Sequence, residues 1–411
     1  MNRSISLVAL LLFAFQFCTA QNKPDFRLHD IRVDLVYLSS DYLEGRQPGT
    51  QGEALAAEYI SGRFAALGLQ PKGEFGSWYQ GFTFQEQVNP HDTVASGPAK
   101  TGKNVVGYID NGAANTVIIG AHYDHLGYGE KNSLFVGEKA IHNGADDNAS
   151  GTSALIALAG YLKQSKARKN NYLFIAFSAE ESGLVGSKYF AANPTIDLSK
   201  VNYMLNMDMV GRLKEEKVLA IGGAGTSPVW KKVLPAIQVD GITLSTTDSG
   251  IGPSDHTSFY LKDIPVLHFF TGQHQQYHKP ADDAGLINFE GLLSVGRFIA
   301  ELVEKLDGEP KLAFTKTKDE SQRAAAGFKV TLGVMPDYVY TGKGMRIDAV
   351  LEDRPAKAAG LLGGDVLIKL GSVDIPDIYA YMEALGKFKK GEKAIAVVKR
   401  GEQTVEAEVT F

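Results

Sequence analysis

Between Asn104 and Phe270, strand-length runs that are apolar on both faces recur between longer helical patterns, and this arrangement constrains the fold more than any other feature. "NVVGYI", "TVIIGAH", "YLFIAFS", "VNYMLNMD" and "IPVLHFF" lack the alternation of a half-solvated strand. Alternation disappears when neither face meets water, so the expected architecture is α/β: a mostly parallel central sheet with helices on both faces. The helical stretches agree. "SGTSALIALAGYLKQ" sets Leu155, Leu158, Ala159 and Leu162 on one face, with Ser150 as its expected N-cap. An earlier segment, "GTQGEALAAEYISGRFAALGL", carries Leu55, Tyr59, Phe64 and Leu67 at helical spacing and stops at Gly68.

A chain of 411 residues exceeds one ordinary domain. Residues 1–20 place Arg3 before "ISLVALLLFAF" and "CTA", the layout of a cleaved secretory signal too short to span a bilayer comfortably, so an exported protein is expected. The only cysteine, Cys18, leaves with that signal, which excludes a thiol nucleophile and disulfides; a lipid anchor on Cys18 is the rival reading. Residues 21–306 form the expected α/β domain, residues 307–327 a charged linker, and residues 328–411 a small, mainly β unit of short alternating runs divided by Gly-rich turns. A net charge of -5 with interspersed signs argues against nucleic acid and anionic membrane surfaces as partners.

Polar residues gather where the apolar runs end. "GAHYDH" supplies His122 and Asp124, "GADDNASG" Asp146 and Asp147, "SAEESG" Glu180 and Glu181, "NMDMVG" Asp208, and "YHKPADD" His278. Ligand sites of open parallel sheets lie at the carboxyl ends of strands, so these segments are expected to converge. Converging carboxylates repel unless protons or cations separate them, and two imidazoles add the nitrogen ligands that zinc favours. The period of two sends His122 and Asp124 to the same side, where Asp124 would orient the imidazole without binding metal itself. Glu180 and Glu181 diverge, so one can bind metal while its neighbour does general acid–base work on the substrate.

The ordered set "GAHYDH", "GADDNASG", "FSAEESGLVGS", "NMDMVG" and "YHKPADD" resembles the M28 family of zinc metallopeptidases from about Ser39 to Glu304, and "SSDYLEGRQPGTQGE" is similar to the family's opening segment. The resemblance implies two zinc ions per chain: His122 and Asp208 on one, Glu181 and His278 on the other, and Asp147 bridging them. It further implies Glu180 as general base beside a metal-bridged hydroxide, a cis Asp147–Asn148 peptide, and Tyr277 as a tyrosine that polarises the scissile carbonyl. Cobalt or manganese suits the same carboxylate-rich set. Asp282 or Asp283 is expected to accept a hydrogen bond from His278. His125, His142, His256 and His268 are assigned to support, lid or packing, and residues 127–143 are expected to overhang the site. A helical His274 and His278 metal pair is a rival that Pro280 disfavours. The implied activity is aminopeptidase action on peptide or protein substrates; carboxypeptidase-type and single-zinc glutaminyl-cyclase-type chemistry are the alternatives, with a non-catalytic peptide binder as a rival of another class.

In the last unit, "DRPAKAAGLLGGDVLIKLGSVDI" resembles the PDZ domains attached to bacterial proteases. That resemblance makes Gly342, Lys343, Gly344 and Met345 a carboxylate-binding loop for the C-terminus of a peptide or protein, with the bound segment adding to the strand at Arg346 and Ile347. "GPAKTGKN" imitates a phosphate loop but ends in Asn104 and runs into a strand, and neither HExxH nor GxSxG occurs, so single-zinc helical and serine-hydrolase plans are absent.

Overall fold

The computed structural model describes residues 25–85, 97–318, 330–337, 340, 342–351 and 353–411. The expected signal, with Cys18, lies outside the described residues, as do positions 319–327 of the expected linker. The larger unit runs through α1 (Leu28–Leu38), α2 (Gln51–Ala66), β1 (Gln70–Pro71), β2 (Tyr79–Gln85), β3 (Ala99–Ile109), β4 (Asn115–His122), α3 (Gly151–Gln164), β5 (Asn170–Phe177), α4 (Val185–Ala192), β6 (Val201–Met207), β7 (Val218–Gly222), α5 (Pro228–Val233), β8 (Thr243–Thr246), α6 (His256–Tyr260), β9 (Val266–Phe270) and α7 (Phe289–Leu306). Its strands form one sheet in the order β1-β3-β5-β4-β6-β9-β7-β8, with β2 added on β3.

The centre of that sheet, β5-β4-β6-β9, is parallel, and antiparallel neighbours flank it at β3 and β7. Every residue of β5 and of β6 is buried, which is why their sequences show no alternation. The period of two is still present in where the side chains go. Val117, Ile119 and Ala121 of β4 join Leu155 and Leu158 of α3 and Ile299 of α7 in one layer. Ile118, with Leu173, Ile175 and Phe177 of β5, joins Phe190 of α4 and Phe259 of α6 on the opposite face. Each fully buried side chain of this kind stabilises the fold by roughly 1.5–3 kcal/mol relative to exposure.

Two local devices set up the site. At the start of α2, Thr50 accepts the Glu53 N–H at 3.4 Å while the Glu53 carboxylate accepts the Gly49 N–H at 2.9 Å, a reciprocal cap. Glu53 also receives the Ser178 hydroxyl at 2.7 Å and the Tyr123 hydroxyl at 3.0 Å, so this buried carboxylate ties the ends of β4 and β5 together. The entrance to α3 departs from expectation. Ser150 is no N-cap: its backbone is already helical, and its hydroxyl donates to the Asp146 carbonyl at 2.7 Å and accepts the Val210 N–H at 3.1 Å. A wide turn over Ala145–Ser150 precedes the helix, and the Asp147–Asn148 peptide inside it is cis.

Part of the expected linker belongs to the larger unit. Leu312 is buried, its N–H donates to Asn202 Oδ1 at 2.8 Å, and the Thr315 N–H donates to the Thr226 carbonyl at 2.8 Å. The smaller unit comprises β10 (Val334–Pro336), β11 (Met345–Val350), α8 (Pro355–Ala358), β12 (Val366–Leu370), β13 (Val373–Asp374), α9 (Ile378–Leu385), β14 (Lys393–Arg400) and β15 (Gln403–Thr410). Its antiparallel sheet has the order β10-β11-β12-β14-β15, and it encloses a separate core of Leu332, Ile347, Leu367, Tyr381, Ala396 and Val409.

The pairing of β11 corrects the peptide site expected there. The Arg346 carbonyl accepts the Asp337 N–H at 2.8 Å, and the Ile347 N–H donates to the Asp365 carbonyl at 2.7 Å, so both edges are engaged within the chain. The Gly344 N–H likewise donates to the Pro376 carbonyl at 2.9 Å, and Met345 pairs with Leu367. Of the loop expected at Gly342, Lys343, Gly344 and Met345, a peptide terminus taking the Gly344 N–H would have to displace its bond to Pro376. Among the described residues no helix is long and apolar enough to cross a membrane.

Candidate metal centre

The parallel strands end along one edge, and the chain turns sharply there. His122 is the last residue of β4, and Asp208 follows the last residue of β6. Beyond β5, Ala179 takes a left-handed φ of 57°, which lifts Glu180 and Glu181 out of the strand line. Asp147 comes from the wide turn before α3 and His278 from the loop after β9.

These side chains meet. His122 Nε2 lies 3.3 Å from Asp208 Oδ1 and 3.4 Å from Asp147 Oδ1. The other Asp147 oxygen, Oδ2, lies 3.2 Å from His278 Nε2, which is itself 3.3 Å from Glu181 Oε2. Asp147 thus stands between two donor groups, one oxygen toward each. Glu180 borders the first group, its Oε2 at 4.0 Å from His122 Nε2. Asp124 faces His122 Nδ1 at 3.6 Å and accepts the backbone N–H groups of Glu180 and Glu181 at 3.1 and 3.3 Å, so one buried carboxylate positions members of both groups.

The second group holds a residue that the strand pattern did not single out. His125 Nδ1 is 2.8 Å from Glu181 Oε1 and 3.8 Å from Asp147 Oδ2, and the three side chains form a compact donor cluster. His125 lies past the end of β4, where the period-two argument no longer applies; the repeated imidazole in "HYDH" was the available signal. The partner of His278 also differs from expectation. His278 Nδ1 faces the Asn132 carbonyl at 2.8 Å, and Asn132 Nδ2 donates to the Glu181 carbonyl at 3.0 Å, so the loop over residues 127–143 orients this imidazole. Asp282 instead accepts the N–H groups of Asp146 and Asp147 at 3.0 and 3.1 Å, and Asp283 accepts from Asn143 at 3.3 Å. His274 faces Asp146 at 3.3 Å, away from the donor groups, and no helix joins it to His278.

Burial and mutual charge set the electrostatics. Burial lowers the basicity of His122, but Asp208 and Glu180 outweigh it and hold the imidazole well above its ordinary range. Burial likewise opposes His278, yet Glu181 and Asp147 push it up to about 11. Glu181 resists the effect of burial through His278 and His125 and falls to about 2. Glu180 moves the other way: burial, then Asp208 and Glu181, raise its carboxyl well above the usual range. Burial also raises the Tyr277 phenol, whose ring stacks on His278 with centroids 3.8 Å apart. A fully buried arginine, Arg46, lies behind the cluster but donates to backbone carbonyls only, so it does not neutralise the carboxylates by contact. The carboxylates need cationic charge between them, and the donor set of imidazoles and carboxylates grouped around Asp147 is one that zinc favours.

The groups open onto a cavity of about 590 Å³. Its walls include Tyr277, Phe270, Ile221, Ile251 and the stacked imidazoles of His256 and His268, whose centroids are 4.5 Å apart. Burial holds both of these imidazoles below their usual basicity, which makes that wall uncharged. His142 bonds Ser133 at 2.8 Å within the overhanging loop.

The chain is 30% identical over 227 residues to aminopeptidase YwaD of Bacillus subtilis, covering 52% of this chain and 46% of that protein. It is 27% identical over 271 residues to leupeptin-inactivating enzyme 1 of Streptomyces exfoliatus, covering 64% of this chain and 53% of that protein. The chain therefore spans about half the length of these curated relatives. Among solved structures, a leucine aminopeptidase precursor from Bacteroides thetaiotaomicron superposes with a TM-score of 0.55 at 19% identity, over 69% of this chain and 98% of the other. A glutaminyl cyclase from Porphyromonas gingivalis does so with a TM-score of 0.55 at 18% identity, over 69% and 99%. At these identities the likeness is one of fold. Residues 104–303, which carry every converging side chain described above, match the model of peptidase family M28.

Proposed function

We propose that this chain is an exported, zinc-dependent exopeptidase of the M28 type that removes N-terminal residues from peptides. The observation that carries the reading is Asp147 placed between two donor groups, with Glu180 beside them on a cavity wall. His122, Asp208 and Asp147 would hold one zinc ion, and Asp147, Glu181 and His278 a second; cobalt or manganese would suit the same donors. Bound there, the metal pair supplies Lewis acidity to water and to the scissile carbonyl. Glu180, on the cavity wall beside the donor groups, takes the proton of the attacking water and returns it to the leaving amine. Tyr277, held protonated by burial, offers its phenol to the carbonyl oxygen. Asp124 keeps both glutamates in register through their backbone N–H groups.

The amino-terminal preference rests on the M28 match and on the aminopeptidase names of the relatives. Export rests on residues 1–20. The test is hydrolysis of short peptides with free and N-acetylated termini by the wild type, the chelated protein and Glu180→Gln. Cleavage of free peptides only, lost on chelation and in the variant, is the expected result. Cyclisation of N-terminal glutamine without hydrolysis would move the assignment to a glutaminyl cyclase, and indifference to chelator would end the metal reading.

A further inference from the structure

The cavity over the donor groups is not walled by the larger unit alone. Ile378 and Met382, on α9 of the smaller unit, line the same space as Glu180, Tyr277 and Ile221. They stand four residues apart on the apolar stripe that also carries Tyr381 and Leu385; both are half-buried, packing at the edge of the smaller unit's own core while reaching the cavity. A polar tie also links the two units: Lys214 Nζ lies 2.9 Å from Asp348 Oδ1 and 3.6 Å from Asp337 Oδ2.

We infer that the smaller unit completes the substrate pocket, and that Ile378 and Met382 select substrates with a bulky apolar side chain next to the scissile bond. The inference rests on the exopeptidase reading above. The volume argues for selection over inhibition: about 590 Å³ remains under the roof, within the range that holds a small ligand, whereas a plug would fill it. The chemistry of the wall argues for the kind of residue selected, since Ile378, Met382, Ile221, Ile251 and Phe270 offer apolar surface and no charge.

The experiment uses the full-length, zinc-loaded protein with leucine and alanine p-nitroanilides. Met382→Ala and Ile378→Ala are expected to lower the leucine-to-alanine ratio of kcat/KM about tenfold, the scale of a lost hydrophobic contact in a specificity pocket. Leu362→Ala, exposed on the same unit and outside the cavity, should leave the ratio unchanged. An unchanged ratio in both cavity variants overturns the inference. A second readout is independent of turnover: Lys214→Met should speed amide hydrogen exchange in residues 378–385 and in residues 245–253, which line the facing wall. If the wild type cleaves neither anilide, the exopeptidase reading fails by itself, and unaltered exchange in both segments then overturns the roof as well.

Discussion

Arg46 is the residue whose replacement should reach furthest. Fully buried, it sends its guanidinium N–H groups to the carbonyls of Leu38, Tyr123, Asn143 and Gly144, joining the end of α1 to the chain just after His122 and just before Asp147. Arg46→Met keeps most of the apolar stem and removes all the donors. The Gly144 carbonyl keeps the Ala149 N–H at 3.1 Å, so three acceptors are orphaned, and at about 2 kcal/mol each they cost about 6 kcal/mol. Burial lowers the guanidinium to about 10, so removing the charge returns about 3 kcal/mol. The remainder, about 3 kcal/mol, corresponds to a fall in Tm of about 6 °C for a unit of this size. Scanning calorimetry in chelator reads the protein scaffold without metal, and a zinc titration of the same variant should show affinity reduced about 10- to 100-fold, because the loops carrying His122 and Asp147 lose a shared anchor. A Tm within about 2 °C of wild type, with unchanged zinc affinity, would refute the reasoning.

Other outcomes follow from neighbouring contacts. His125→Ala removes the group 2.8 Å from Glu181 and should weaken zinc binding about 10- to 100-fold in a competition titration, with little change in the Tm of the chelated protein. Asn132 holds a left-handed φ of 59°, so Asn132→Val should strain the loop by about 1–3 kcal/mol and raise KM for short peptides, whereas Asn132→Gly should not. Burial disfavours the charged form of His274, but Asp146 and Asp282 raise its basicity above the free imidazole. The stability this contributes is therefore complete below about pH 6.5, the unfolded value, and is lost as pH climbs through the higher folded value. Thermal melts of the chelated protein should show that loss, and His274→Gln should abolish its pH dependence.

The architecture was legible because its cause is a solvent boundary: β5 and β6 are apolar throughout since both faces of the sheet are covered, and that leaves a direct trace in composition. Convergence of the strand ends was legible for the same reason, since a parallel sheet brings its carboxyl ends to one edge. What escaped depends on backbone groups. The Asn132 carbonyl that faces His278 leaves no side-chain pattern, and Asp282 goes instead to the backbone N–H groups of Asp146 and Asp147. Ser150 has the composition of a cap, yet the wide turn at Asp147 places it inside the helical path. Alternation in β11 identifies a strand without telling whether its edges are occupied, and β10 pairs along one edge and β12 along the other. Nothing in the local sequence of α9 indicates that Ile378 and Met382 reach a cavity in another unit.

The most direct measurement is an anomalous difference map at the zinc edge from crystals of the zinc-loaded protein. Two peaks of comparable height, one on each side of the Asp147 carboxylate, are predicted: one against His122 and Asp208, the other against Glu181 and His278. A single peak, or density that leaves Asp147 unligated, would contradict the account.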